Sequence, residues 1–272
     1  MILDTFPRLQ GVILDMDGVL WKDTEPLGNL PEIFDKMEKA GLGIVLATNN
    51  ATKTTGQYLE KLSSFGVTLK PWQIVNSSEA AGFLLQEKFP KGGKVFVVGE
   101  ASLKEVLRSY GFDADSSQPE VLAPKALAPN ALAVVAGMDR TLTFDKLRTA
   151  ALLIRQGALF VGTNPDRTFP TPEGLIPGAG AILAALETAT DVRPLIAGKP
   201  AAPMFKLAIE RLKATPENVL CIGDRLETDI AGGQLIGCKT ALVLSGVTTL
   251  ETAREWRPAP DLIVPDLTSL FS

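Results

Sequence analysis

The 272-residue chain contains no histidine. That absence removes whole mechanisms: there is no Ser-His-Asp or Cys-His machinery and no zinc site with a histidine ligand. General acid–base work near neutral pH falls to carboxylates, lysine or tyrosine. Cysteine is almost as scarce. Cys221 and Cys238 both lie in apolar, strand-like stretches, where small core residues in a reducing compartment are a simpler reading than a disulfide. No apolar run reaches the roughly 18 residues needed to span a bilayer. The start, MILDTFPRLQ, lacks the basic and long apolar parts of a signal peptide. A soluble, cytoplasmic protein without a membrane partner is therefore expected. Excess positive charge is missing too: 31 Asp and Glu face 27 Lys and Arg, for a net charge of −4, which argues against a nucleic-acid partner. Nucleotide fingerprints are incomplete. Gly92-Gly93-Lys94 lacks the earlier glycine of a P-loop, and Gly178-Ala179-Gly180 lacks the third glycine of a dinucleotide site.

What is present alternates strand and helix signals, which predicts an α/β fold with a doubly wound, Rossmann-like parallel sheet. Val12-Ile13-Leu14 reads as a buried strand. A helix is expected from Asn29 as cap, with Pro31 in its first turn and Gly41 closing it. Gly43 to Ala47 is a second strand, and helices follow from about Thr54 to Phe65 and from Asn76, where Glu79 gives a capping-box start. The last third repeats the logic. Strands are expected at Pro194–Ala197, Val219–Ile222 and Thr240–Leu244, with helices at 203–212, around 229–236, and from Thr248 with Glu251 as a capping box.

The middle third has strands near 95–98, 132–136 and 159–161, helices near 103–110 and 144–154, and a Pro- and Ala-rich loop from Pro119 to Pro129. One extended sheet would accommodate these units. An inserted domain is the better reading, because Pro170 to Gly180 is a Pro/Gly-rich joint of the type that connects domains. The expected division is a core of residues 1–77 and 178–272 and an inserted α/β cap domain of residues 78–177. Gly178 to Gly180 would open the helix that re-enters the core.

Four strand ends deliver polar groups: Asp15 and Asp17, then Thr48 with Asn49, then Lys199, then Asp224 with Asp229. In a parallel sheet these ends share one edge and can converge. Carboxylates brought together repel unless a cation or shared proton separates them, and several can hold Mg²⁺ through oxygen. A further carboxylate can attack phosphorus, while a hydroxyl, an amide and an ammonium hold the phosphoryl oxygens. Each piece has a plainer reading. Asp17-Gly18 alone is a turn, Thr48-Asn49-Asn50 a loop start or helix cap, Gly198-Lys199-Pro200 a solvated turn, and Asp229 an acid favoured by the helix dipole. Arg225 reads as a structural arginine. Their joint order is what carries weight.

That ordered set, D-x-D-G at Asp15–Gly18, a strand ending in Thr48, Lys199, and G-D-x-x-x-x-D at Gly223–Asp229, resembles the haloacid dehalogenase-like hydrolase superfamily. The wording D-M-D-G-V-L, A-T-N-N, V-G-T-N-P-D, P-G-A-G, G-K-P and G-D-R-L-E-T-D-I spans nearly the whole chain and is most similar to the NagD-like and 4-nitrophenylphosphatase-like subfamily. The resemblance implies a Mg²⁺-dependent phosphatase acting on a small-molecule phosphomonoester through an aspartyl-phosphate. Asp15 would be nucleophile and metal ligand. Asp17 would be the acid and base, its backbone carbonyl also touching the metal. Thr48, Asn49, Lys199 and the backbone amide of Gly18 would bind phosphate. Asp224 would ligate the metal, and Asp229 would support it through water and orient Lys199.

Two rivals share parts of this chemistry. A receiver-like phosphoacceptor module also sets an aspartate, a threonine and a lysine around Mg²⁺, but an acid two residues past the nucleophile serves only a leaving group that must be protonated. A carbon–halogen hydrolase is disfavoured by the same Asp17, since halide departs without a proton. Candidate substrates are nucleoside monophosphates, sugar phosphates, glycerol phosphate and phosphoglycolate, with 4-nitrophenyl phosphate as an artificial ester. A pyridoxal-phosphate pocket is lowered in rank by the absent histidine. Thr163-Asn164-Pro165-Asp166 follows a cap strand, so Asn164 and Asp166 are read either as a substrate contact from the cap or as a local turn. Oligomeric state, including a homo-oligomer, is left open.

Overall fold

In the computed structural model, residues 2–114 and 131–271 are described, and the chain divides into two units. The first comprises residues 1–48, 55–75 and 199–272. Strands β1 to β15 follow chain order. The run Gly11–Leu14 forms β1, buried at all four positions, as a strand covered on both faces must be. It pairs in parallel with β4 (Gly43–Thr48) on one side and with β13 (Val219–Gly223) on the other. Beyond β13 lie β14 (Lys239–Val243) and β15 (Leu262–Val264), again parallel. With β5 (Ile74–Asn76) the sheet order is β15-β14-β13-β1-β4-β5. Strand order reverses on either side of β1, and such a switch point opens a crevice at the strands' carboxyl ends. A small antiparallel hairpin, β2 (Trp21–Lys22) with β3 (Glu25–Pro26), follows the β1 loop.

Local chemistry sets the helices of this unit. The helix Leu30–Lys39 starts at Asn29, whose side chain accepts from the Glu32 N–H, and Gly41 leaves it at φ +73°. Its Ile33, Phe34 and Met37 join Val12, Leu14 and Leu46 of the sheet in one buried cluster. The helix Ala202–Leu212 buries Met204, Phe205, Leu207, Ala208 and Ile209, most of the apolar face expected from periodicity, while Leu212 at its end is only partly buried.

The second unit comprises residues 49–54 and 76–198. Its sheet is all parallel, in the order β12 (Leu195–Ile196), β9 (Leu159–Gly162), β8 (Ala133–Ala136), β6 (Gly93–Val98), β7 (Phe112–Asp113). This extends past the expected limit at residue 177, for two reasons. The helix Ala179–Thr190 does not re-enter the first sheet; its Ile182, Leu183 and Leu186 pack with Val134, Leu153 and Phe160. The strand expected at Pro194–Ala197 joins this sheet by pairing Leu195 and Ile196 with Val161 and Gly162. The Pro/Gly-rich joint is likewise something else, an antiparallel hairpin of β10 (Thr168–Thr171) and β11 (Gly174–Pro177). Its two-residue turn, Pro172-Glu173, is flanked by the pair Thr171 and Gly174, the latter at φ +127° with its carbonyl accepting from Thr171 Oγ1 at 2.9 Å.

Two helix starts also differ from expectation. The helix predicted around 229–236 begins as a π turn over Leu226–Ile230 and becomes α-helical only at Ala231–Leu235. Thr249, not Thr248, caps Leu250–Glu255 by accepting from the Thr252 N–H. The Pro119–Pro129 loop lies outside the described residues. Cys221 and Cys238 are both free and buried. The Cys221 thiol is held well above its usual range, first by its hydrogen bond with Cys238 and then by burial. Among the described residues, no helix is long and apolar enough to cross a membrane.

Candidate active site

Asp15 is the first residue beyond β1, and its N–H still donates to the Ile222 carbonyl at 2.9 Å, so the sheet fixes where its side chain starts. Lys199, the first residue of the returning chain, is buried and donates from Nζ to Asp15 Oδ1 at 2.6 Å and to the Ala47 carbonyl at 3.0 Å. The same Nζ lies 2.6 Å from Asp229 Oδ1. Burial alone would lower the lysine's affinity for its proton, but Asp15 and Asp229 outweigh it and hold the ammonium firmly charged.

Asp224 and Asp229 follow β13. Asp229 is brought back to the sheet edge by the π turn, its Oδ2 accepting from the Arg225 N–H at 3.1 Å. Single π turns of this sort recur at functional sites because they redirect one side chain. Asp224 is gripped by the loop after β14: its Oδ2 accepts from the Val247 N–H at 2.8 Å, and its backbone carbonyl from the Thr248 N–H at 3.2 Å. A Cβ on Gly246 would stand 2.0 Å from Asp224 Oδ2, so that loop can approach only as glycine.

Carboxylate oxygens of Asp15, Asp224 and Asp229 lie within 4.8 Å of one another. One lysine offsets three acids, and Asp15 and Asp224 hold their protons more tightly than free carboxyls do. Burial, together with Asp229 and Asp224, pushes Asp15 up to about 7 despite Lys199. Asp224 is raised by burial and by Asp229, with the Val247 N–H pulling it back. Asp224 Oδ1 is buried with no hydrogen-bond partner among the described residues. An all-oxygen set with a buried, uncommitted oxygen fits a hard divalent cation such as Mg²⁺.

Other expected residues take different places. Asp17 is exposed and lies outside this acid group; its Oδ1 accepts from Trp21 Nε1 at 2.7 Å. The Gly18 N–H, expected to face phosphate, donates to the Trp21 carbonyl at 2.8 Å. What Gly18 supplies is steric: φ is +84°, and a Cβ there would meet Asp224 Oδ2 at 2.6 Å. Thr48 ends β4, buried, and shares a hydrogen bond with Tyr58 of the helix Thr55–Ser64. Asn49 belongs to the second unit. Its carbonyl accepts from Ser77 Oγ at 2.6 Å and Asn164 Nδ2 at 2.8 Å, and its amide nitrogen lies 3.4 Å from Asp166 Oδ1. The side chain expected on phosphate is thus turned to the Asn164–Asp166 turn, where Asn164 Oδ1 also accepts from the Asp166 N–H.

Sequence reasoning missed Trp21, Tyr58 and the Ser245–Val247 loop. No motif singles out Trp21 or Tyr58, and both are buried. Only the S-G-V-T after the strand at 240–244 carried a signal, being one more polar, glycine-bearing strand end.

Comparison with known proteins shows the family. A profile described as haloacid dehalogenase-like hydrolase matches residues 12–113, and a related HAD-hydrolase-like profile matches residues 196–270. The chain belongs to the haloacid dehalogenase-like hydrolases. It is 35% identical to phosphoglycolate phosphatase 1A, chloroplastic, of Arabidopsis thaliana, over 96% of this chain and 76% of that protein. It is 32% identical to acid sugar phosphatase of Staphylococcus aureus, over 96% of both. The solved structure of NagD from E. coli K-12 superposes with a TM-score of 0.84 at 30% identity, covering 95% of this chain and 97% of that one.

Proposed function

We propose that this chain is a Mg²⁺-dependent phosphatase of small-molecule phosphomonoesters that works through an aspartyl-phosphate on Asp15. The observation that carries this reading is the position of Asp15. It sits at the end of the central strand, in contact with Lys199 at 2.6 Å and within 4.8 Å of Asp224 and Asp229. That set can pair a nucleophilic oxygen with positive charge for a phosphoryl group.

In the proposed reaction an Asp15 oxygen bonds to phosphorus as the phosphorus–oxygen bond to the leaving group breaks. Protonated Asp17 gives its proton to that leaving oxygen. Asp17 then takes a proton from water, whose oxygen attacks phosphorus and releases Asp15. Lys199 and the Thr48 hydroxyl hold the phosphoryl oxygens. Mg²⁺, held by Asp15, Asp224 and the Asp229 carboxylate or a water on it, would neutralise charge on the transferring group. The relatives' names support small phosphorylated acids and sugars as substrates, phosphoglycolate and sugar phosphates first, with glycerol phosphate and nucleoside monophosphates next. The two buried free thiols suit a reducing, cytoplasmic setting.

Hydrolysis of 4-nitrophenyl phosphate tests the reading. Turnover is expected with Mg²⁺, to stop in excess EDTA, and to fall by several orders of magnitude in Asp15→Asn with the fold intact. Near-normal turnover in Asp15→Asn would sink the mechanism. A stable phosphorylated Asp15 without turnover would make the protein a phosphoacceptor module instead.

A further inference from the structure

The exposed acid Asp17 is held by a buried indole. Trp21 is 1% exposed, yet its Nε1–H reaches the surface carboxylate at 2.7 Å. Its backbone grips the same loop, with the Trp21 carbonyl accepting from the Gly18 N–H at 2.8 Å. The Met16 carbonyl accepts from the Leu20 N–H at 2.8 Å, closing the turn beneath Asp17. The ring is fixed in turn: Lys61 Nζ stands 4.1 Å from its centroid and Phe65 packs at 6.0 Å. Lys61 also donates to the Asp23 carbonyl at 2.8 Å, pinning the chain just past β2. An ammonium over the face of an indole draws electron density from the ring and makes its N–H a better donor.

We propose that Trp21 is the positioning residue of the acid–base group, committing Asp17 Oδ1 to its N–H so that Oδ2 is the oxygen that exchanges the proton with the leaving group and then with water. The assignment rests on the phosphatase reading above. It does not follow from the ordered motifs, in which Trp21 has no part. A carboxylate on an exposed loop samples several rotamers, only one of which faces the scissile bond. A charge-assisted hydrogen bond from a rigid, buried donor selects one and keeps it through both half-reactions. Proton transfer depends steeply on that placement, whereas phosphate binding, carried by Lys199 and Thr48, does not.

The test compares Trp21→Phe with the parent enzyme on 2-phosphoglycolate, whose alkoxide must be protonated, and on 4-nitrophenyl phosphate, whose phenolate leaves with little help. We expect kcat on the alkyl ester to fall about tenfold and on the aryl ester by less than about twofold, with KM changed little on either. In an Asp17→Asn background the same substitution should cost nothing further, because the two residues act as one unit. Equal losses on both esters, no loss on the alkyl ester, or a tenfold loss persisting beside Asp17→Asn would each overturn the assignment. Should Trp21→Phe misfold, β-(3-benzothienyl)alanine placed at position 21 keeps the bicyclic shape and lacks the N–H, and the same outcomes decide. Asp15→Asn separates the two readings. If it is inactive while Trp21→Phe is unaltered, only the role of Trp21 falls; if it is active, the phosphatase mechanism falls and takes this role with it.

Discussion

Asp17 and Tyr58 show how much a single residue contributes once its neighbours are fixed. Asp17→Asn should leave metal and phosphate binding in place while slowing leaving-group departure, with losses of about 10²- to 10⁴-fold on an alkyl phosphate and smaller losses on 4-nitrophenyl phosphate. Rates on the two esters, measured side by side, check this. Tyr58 is buried and its hydroxyl is held above its ordinary range, first by burial and then by the Asp17 charge, so it stays neutral and bonded to Thr48. Tyr58→Phe should loosen the Thr48 hydroxyl, raising KM severalfold at a stability cost of about 1 kcal/mol; kinetics and a melting curve read both. Of the residues legible in the sequence, Asp15 and Asp224 are polar groups at strand ends of one sheet, which topology brings together; Lys199 follows β12 of the other sheet and arrives as the first residue of the returning chain, and Asp229 comes through the π turn. Trp21 and Tyr58 were not legible, because a buried aromatic in a periodic pattern looks the same whether or not its polar tip is used.

At the scale of elements, the loop after β14 acts as a clamp on Asp224. Gly246→Ala would drive a Cβ into Asp224 Oδ2, and backbone or carboxylate must move. Mg²⁺ titration of activity should show at least a tenfold weaker apparent metal affinity, with little change in melting temperature, since the loop is at the surface end of the sheet. An unchanged titration would mean that the loop yields and the clamp is dispensable. Long, strongly patterned elements were readable in advance, such as Leu30–Lys39 from its Asn29 cap and Ala202–Leu212 from its apolar face. The sheet membership of Leu195–Ile196 was not, because two residues carry no period and a strand does not state its neighbour. The Pro and Gly of 170–180 suggest an interdomain joint, yet the same residues punctuate a hairpin inside the second unit. The π turn was hidden because its five residues differ from an α-helical start only in backbone geometry.

At the scale of the molecule, Asn164 ties the second unit to its own short segment 49–54. It is 7% exposed and donates to the Asn49 carbonyl at 2.8 Å. Asn164→Ala removes one of the two donors to that carbonyl, Ser77 Oγ remaining at 2.6 Å, at a cost of about 0.5–1.5 kcal/mol, and a slightly lowered melting temperature is expected. Because the segment begins one residue after Thr48, efficiency should fall evenly across a panel of phosphate esters; a reordering of preferred esters would instead make Asn164 a substrate contact. The pairing of β1 with β13, Gly11 opposite Val219, has a further consequence in time. A ribosome delivers β1 early and its second neighbour only after the entire 76–198 unit has emerged. Domains fold as they appear during synthesis, so the second unit, whose two segments have both emerged by then, is free to form first, while β1 waits with one hydrogen-bonding edge open. Lys199, Asp224 and Asp229 follow that unit. A nascent chain that has not passed residue 199 therefore holds Asp15 without its lysine or its fellow acids, and the group of acids and lysine is assembled only once residue 229 has emerged.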